Sequence, residues 1–253
     1  MSRFADQVVV VTGGGSGIGA GIAHRFAAEG ATVVIAGRTQ EKLDKVVAGN
    51  PAIRAHVADL TVPDEINALI ASVVDELGRL DVLVNNAGVP SLGTVEAVTP
   101  DQWRAAMAIN LDAVYHTSRA SMPHLRERKG CIVNIGSMGG LGADYGMVAY
   151  NTAKGGLVNL TRAMAADHAP DVRVNAVHPG FIRDTGITGG VTPDMPIMQA
   201  YVQRIPFGRV GEIDEVAGVV AFLAGEDARY LTGLQIPVDG GLDATNGQPR
   251  LFF

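Results

Sequence analysis

The chain has 253 residues, 47% of them apolar and 18% charged, with a formal net charge of −6 at neutral pH. This balance supports a core on both faces of a sheet and leaves no electrostatic footprint for nucleic acid or an anionic membrane surface. One cysteine, Cys131, excludes an internal disulfide, no segment approaches the roughly 20 apolar residues that span a bilayer, and Met1 to Asp6 hold no apolar signal region, so a cytoplasmic, soluble protein is expected.

Short apolar runs alternate with longer helical patterns. The runs at 8–11, 33–36, 53–57, 82–84, 132–135, 174–177 and 235–238 read as buried parallel strands. Helical patterns cover 18–29, 41–47, 63–77, 100–126, 150–169 and 213–224. Such alternation predicts an α/β fold: a single doubly wound, Rossmann-type parallel sheet of seven strands, helices on both faces and right-handed crossovers. Chains of this length often form one α/β domain, so residues 1–253 are read as one unit. Cys131 opens the fifth strand, where a small buried residue fits better than a reactive thiol. Residues 184–207 break the rhythm, with Gly186, Gly189, Gly190, Pro193, Pro196 and Pro206 among Ile187, Met195, Ile197, Met198 and Tyr201. A long irregular stretch of this kind predicts a substrate lid.

Between the first strand and first helix lies Thr12-Gly13-Gly14-Gly15-Ser16-Gly17-Ile18-Gly19. Glycines there let the backbone approach a pyrophosphate, which a positive helix N-terminus then holds. The second strand ends in Gly37-Arg38-Thr39. An acid at its end would bind the ribose 2′-hydroxyl of NAD, whereas an arginine nearby accommodates the 2′-phosphate of NADP. Gly37 removes the acid and Arg38 supplies the cation, so NADP(H) is favoured over NAD(H), although Ser16 adds no second basic contact.

Tyr150 and Lys154 stand one helical turn apart, and Ser137 precedes the tyrosine. A phenol with a pKa near 10 is a poor base at neutral pH. An ammonium about 4 Å away interacts by about 4 kcal/mol at an effective dielectric of 20, enough to lower that value by about three units before desolvation. The pair is therefore expected to do general acid–base work, with Ser137 hydrogen-bonding the reacting oxygen.

Together with Asp59-Leu60, Asn85-Asn86-Ala87-Gly88, Asn110 and Pro179-Gly180, these motifs resemble the short-chain dehydrogenase/reductase family in its compact form, over essentially the whole chain. The resemblance implies catalytic roles for Asn110, Ser137, Tyr150 and Lys154, with Asn110 positioning a water in a proton relay. It implies a cofactor site built from Gly13, Gly15, Ser16, Gly17, Ile18, Gly19, Arg38, Thr39, Asp59, Leu60, Asn86, Ala87, Gly88, Pro179, Gly180, Ile182 and Thr185, besides Tyr150 and Lys154. Asp59 would contact the adenine, Ile182 the nicotinamide end, and Lys154 the nicotinamide ribose. Without the family, Asp59 reads as a helix cap, Asn86 as a turn residue and Asn110 as a backbone partner. Family members often carry threonine five residues after the proline; here Asp184 stands there and Thr185 follows.

The expected activity is hydride transfer between the cofactor and a ketone/secondary-alcohol pair. Met138, Leu141, Met147, Met195 and Met198 are expected, with Ser137 and Tyr150, to form an adaptable apolar substrate pocket. An NAD-dependent alcohol dehydrogenase, a nucleotide-sugar epimerase or dehydratase, and an idle dinucleotide sensor are the rivals. The six histidines show no metal-ligand spacing, and His178 reads as structural. Trp103, Met107, Val114, Met122, Leu157, Leu160 and Met164 predict apolar helix faces paired in a homotetramer, to which the tail at 248–253 could add a second interface.

Overall fold

The computed structural model describes residues 2–186, 188–192 and 194–246. Seven strands are described: β1 (Val8–Thr12), β2 (Thr32–Gly37), β3 (Ile53–Val57), β4 (Val82–Asn85), β5 (Cys131–Ile135), β6 (Arg173–Pro179) and β7 (Gln235–Val238). The α-helices are α1 (Gly17–Ala28), α2 (Gln40–Val47), α3 (Pro63–Leu77), α4 (Pro100–Met107), α5 (Ala113–Arg128), α6 (Met138–Leu141), α7 (Val148–His168), α8 (Pro196–Arg204) and α9 (Ile213–Ala224).

All strand pairs are parallel, in the order β3-β2-β1-β4-β5-β6-β7. Every residue of β1 is buried, and side chains alternate across a strand. Val9 and Val11 therefore enter one core with Ile22 and Phe26 of α1 and Val220 of α9. Val8 and Val10 enter the other with Ile66 and Leu69 of α3 and Leu125 of α5. This two-sided burial is why the central strands are continuous apolar runs. The edges differ from the expectation of buried strands throughout. In β3 only Ile53 is fully buried, Val57 is 48% exposed, and β7 is half-open.

The chain runs outward from β1 through β2 and β3, then returns to the other side of β1 as β4. Ligands of open α/β sheets bind at such a switch point, outside the carboxyl ends of the strands. Asn86, just beyond β4, ties that point together. Its amide N–H donates to Thr12 Oγ1 (2.9 Å) and its Nδ2 to the carbonyls of Thr12 (2.9 Å) and Gly13 (3.2 Å).

Two expected elements are revised and one is added. The helix read over 100–126 is interrupted by a π turn, Ala108–Asp112, centred on buried Asn110. The short helix α6 follows Ser137, whose hydroxyl accepts the Gly139 N–H at 3.1 Å as its N-cap. Residues 184–207 are not irregular throughout, since Pro196 begins α8 at a position that favours proline. Of the expected interface residues, Val114, Met122, Leu157 and Met164 are buried within their own chain, whereas Trp103 is 38% exposed. The tail at 248–253 lies outside the described residues.

Candidate active site

A cleft of about 610 Å³ runs across the carboxyl ends of the strands. Its nucleotide-like end begins at Gly13, which needs a φ of +65°, and continues through Ser16, Gly17, Ile18 and Gly19 at the start of α1. A Cβ on Gly19 would come within 2.4 Å of the Gly13 carbonyl oxygen and 2.5 Å of Asn86 Nδ2. Only glycine lets the turn close, with the Gly13 and Gly14 N–H groups donating to the Ala36 carbonyl (2.7 and 3.3 Å), and Ser16 makes no side-chain cap on the first N–H groups of α1. This cradle fits a pyrophosphate at a helix N-terminus.

Arg38 and Leu60 line the same end, joined by Gly37, Ala58 and Lys42. Lys42 supplies the second basic group that Ser16 does not. Its signal in the sequence was slight, a lysine in the first turn of α2, one helical turn beyond Arg38. Asp59 does not line the cleft. Its carboxylate accepts the Thr61 N–H (2.9 Å) and hydroxyl (2.7 Å) and stands 4.0 Å from Arg38 Nη1. Those Thr61 bonds hold the Asp59 carboxyl below its ordinary value, with a smaller contribution from Arg38. Thr39 is the exposed N-cap of α2, and Gly15 packs on α2, where a Cβ would lie 3.2 Å from the Lys42 Cβ.

The middle of the cleft is formed by Asn86, Ala87 and Gly88 after β4, and by Pro179, Gly180 and Ile182 after β6. Thr185 lines it as well, whereas Asp184 is exposed at a φ of +56°. Asn110 is buried beneath it. Its Oδ1 accepts the Val89 N–H (3.1 Å), and its Nδ2 donates to the carbonyls of Val89 and Ala106 (both 3.0 Å). Its side chain thus holds the loop after β4 rather than lining the cleft.

Ser137, Tyr150 and Lys154 meet at the far end. Tyr150 and Lys154 share one face of α7, with Lys154 Nζ 5.8 Å from the phenol ring centroid. Lys154 is 3% exposed and its Nζ donates to the Ile135 carbonyl at 2.8 Å. Burial pushes its pKa down to about 8. Burial also pushes the Tyr150 phenol up, opposed by a hydrogen bond to Ser137 and aided by the charge of Asp144. The spacing predicts a phenol depressed by Lys154; the structure differs, because burial dominates and the groups acting on the phenol are Ser137 and Asp144 rather than the ammonium.

Met138 and Met147 line this end, with Asp144, Phe181, Val191, Ile197 and Tyr201. Leu141, Met195 and Met198 do not line it. Met195 is exposed at the start of α8, while Met198 is buried beside Ile205 and Val210. Phe181 and Tyr201 pack with ring centroids 4.4 Å apart and planes tilted by 46°, joining α8 to the loop after β6. The buried Cys131 thiol, pushed up to about 11 by desolvation, lies in β5 and is not among the lining residues.

The comparisons agree with this geometry. A family model described as enoyl-(acyl carrier protein) reductase matches residues 13–243. The meso-2,3-butanediol dehydrogenase of Serratia marcescens is 46% identical over 98% of this chain and 99% of its own. A 3-oxoacyl-(acyl-carrier-protein) reductase of Thermotoga maritima is 36% identical over 95% and 99%. Among solved structures, the aldohexose dehydrogenase of Thermoplasma acidophilum superimposes with a TM-score of 0.90 at 33% identity, covering 99% of both chains. The glycine cradle, the serine, tyrosine and lysine in one cleft, and relatives aligned from end to end place the chain in the short-chain dehydrogenase/reductase family, as an NAD(P)-dependent oxidoreductase acting on CH–OH or carbonyl groups.

Proposed function

We propose that the enzyme interconverts a neutral, largely apolar, medium-sized ketone and its secondary alcohol, using NADP(H) in preference to NAD(H). The observation that carries this reading is the layout of one cleft, with Ser137 and Tyr150 at one end and two cations, Arg38 and Lys42, at the other. Gly37 leaves no acid there to repel a 2′-phosphate. The chemistry a bound dihydronicotinamide supplies is a hydride for the carbonyl carbon. Tyr150 Oη gives its proton to the oxygen as negative charge develops, and Ser137 Oγ donates a hydrogen bond to the same atom. The phenol held protonated by burial is the form suited to reduction. Lys154, anchored on Ile135, would stabilise the phenolate left by that proton transfer and hold ribose hydroxyls. Met138, Met147, Phe181 and Ile197 favour an apolar substrate body, and residues 184–207 would act as its lid. The S. marcescens relative, named for a secondary diol, favours the same reaction.

We also propose a homotetramer in the cytoplasm, built on the faces of α4, α5 and α7. Trp103 and Tyr115 leave apolar surface there (38% and 49% exposed), and a single buried cysteine suits a reducing compartment. Among the described residues, no helix is long and apolar enough to cross a membrane.

Reduction of 2-alkanones from butanone to octanone, followed by nicotinamide absorbance with NADPH and with NADH, tests the catalytic reading. Turnover with a clear NADPH preference is expected. Inactivity across the series would refute the substrate class, and an NADH preference would refute the cofactor.

A further inference from the structure

Asp144 is a carboxylate set into an otherwise mostly apolar end of the cleft, in the loop between α6 and α7. Its backbone is fixed by Asn151, whose Nδ2 donates to the Asp144 carbonyl at 2.8 Å and whose Oδ1 accepts the Asp144 N–H at 3.3 Å. Among the described residues, no hydrogen bond or ion pair is seen at its carboxylate. Gly139 places that group relative to the catalytic serine. The position a Gly139 Cβ would take lies 2.8 Å from Asp144 Oδ2 and 3.6 Å from Ser137 Oγ. The two oxygens therefore flank one bare glycine, with Asn151 Oδ1 2.6 Å from the same Cβ position, and the Asp144 carboxylate stands near enough to Tyr150 for its charge to be felt at the phenol. A molecule whose reacting oxygen meets Ser137 brings its neighbouring substituent toward Asp144.

We propose that Asp144 is a specificity-determining residue that selects ketones carrying a hydroxyl close to the reacting carbonyl and rejects those carrying an anion there. The inference rests on the ketone/alcohol function proposed above and adds one polar handle to its apolar substrate. A half-buried carboxylate without donors gains a charge-assisted hydrogen bond from a hydroxyl, whereas a substrate carboxylate meets like charge. Burial already lifts the Asp144 carboxyl above its ordinary value, and the charge of Arg204 only partly opposes this, so its ionised form is short of donors. The meso-2,3-butanediol named for the S. marcescens relative has such a neighbouring hydroxyl.

Three ketones of the form CH3–CO–CH2–X isolate the effect: butanone (X = CH3), hydroxyacetone (X = OH) and acetoacetate (X = COO−). Their kcat/KM values are compared in the wild type, Asp144→Asn and Asp144→Leu with NADPH. Both changes leave the backbone bonds to Asn151 in place. The wild type is expected to favour hydroxyacetone over butanone by about 10- to 150-fold, the worth of a hydrogen bond to a charged group. Asp144→Leu should erase that preference. Asp144→Asn should retain part of it, because an amide oxygen still accepts, while raising the acetoacetate-to-butanone ratio by at least about 10-fold. If the wild type reduces butanone but neither ratio moves in either variant, the inference falls and the ketone reductase function stands. If it reduces none of the three, nor any longer 2-alkanone, both fall together.

Discussion

The imidazole of His178 grips the backbone of Ser137. Its Nδ1 lies 3.3 Å from the Ser137 amide nitrogen and 3.1 Å from the Ser137 carbonyl oxygen. On the other side, Nε2 meets Gln235 Oε1 at 2.8 Å, and Gln235 Nε2 donates to the Gly233 carbonyl at 3.3 Å. This arrangement puts the imidazole proton on Nε2 and leaves Nδ1 to accept the Ser137 N–H. A Cβ on Gly136 would strike the ring at 2.3 Å, so the bare glycine is what admits it. A residue read from the sequence as structural thus holds the serine in place from behind.

Removing that acceptor leaves a buried N–H unpaired. His178→Leu should therefore cost about 1–3 kcal/mol, measured by urea unfolding near pH 7.5. The pH dependence has a definite sign. Burial, helped by the charge of Lys154 and opposed by Gln235, Ser137 and Asp243, holds His178 below its ordinary pKa. As pH falls below about 6.5, the unfolded chain takes up a proton that the folded site refuses, and stability is lost. The wild type should lose more stability than His178→Leu between pH 6.5 and 5. Parallel slopes would show that His178 contributes nothing to the acid response.

Arg38 and Lys42 should separate the two cofactors. Each single change to alanine is expected to weaken NADPH by about 10- to 150-fold, the cost of losing a charge-assisted hydrogen bond, with little effect on NADH. Arg38 is 66% exposed, so its contribution is put at the low end of that range. Fluorescence titration of both cofactors checks this. Equal weakening of NADPH and NADH would mean the cations do not read the 2′-phosphate.

For the assembly, light scattering of the wild type at micromolar concentration should give four times the chain mass. Trp103→Glu with Tyr115→Glu should give a smaller species by placing charge at apolar contacts. A monomeric wild type would refute the tetramer, and an unchanged tetramer in the double variant would refute this choice of face.

The sheet was legible because two-sided burial writes itself as apolar runs, and all seven expected strands pair in parallel. Edge exposure was not legible, since Val57 and the buried Val33 differ only in what covers them. Helix α8 was obscured by its own punctuation. Pro196 marks its first turn, but among so many glycines and prolines it read as a breaker. The π turn left no mark, because Ala106, Ile109 and Ala113 continue an ordinary helical spacing across it. The meeting of Ser137, Tyr150 and Lys154 in one cleft was readable because residue types at fixed local spacing pointed to it. Asp144 reaches the cleft only through tertiary packing, and nothing in its immediate neighbours announces it, whereas Lys42 had only its place one turn beyond Arg38 and Tyr201 only its place in the expected lid. The phenol's upward shift was missed for the same reason: attraction to Lys154 follows from spacing, but desolvation requires knowing the depth of burial.

The acid–base role of Tyr150 is tested most directly by Tyr150→Phe, which keeps the buried ring and removes the transferable proton. With a ketone that the wild type reduces, kcat should fall by about 10²- to 10⁴-fold. The dissociation constant for NADPH should stay within a few-fold of the wild-type value, since the cradle at Gly13–Gly19 and the Arg38–Lys42 pair are untouched. Near-wild-type turnover in this variant would contradict the proposed chemistry.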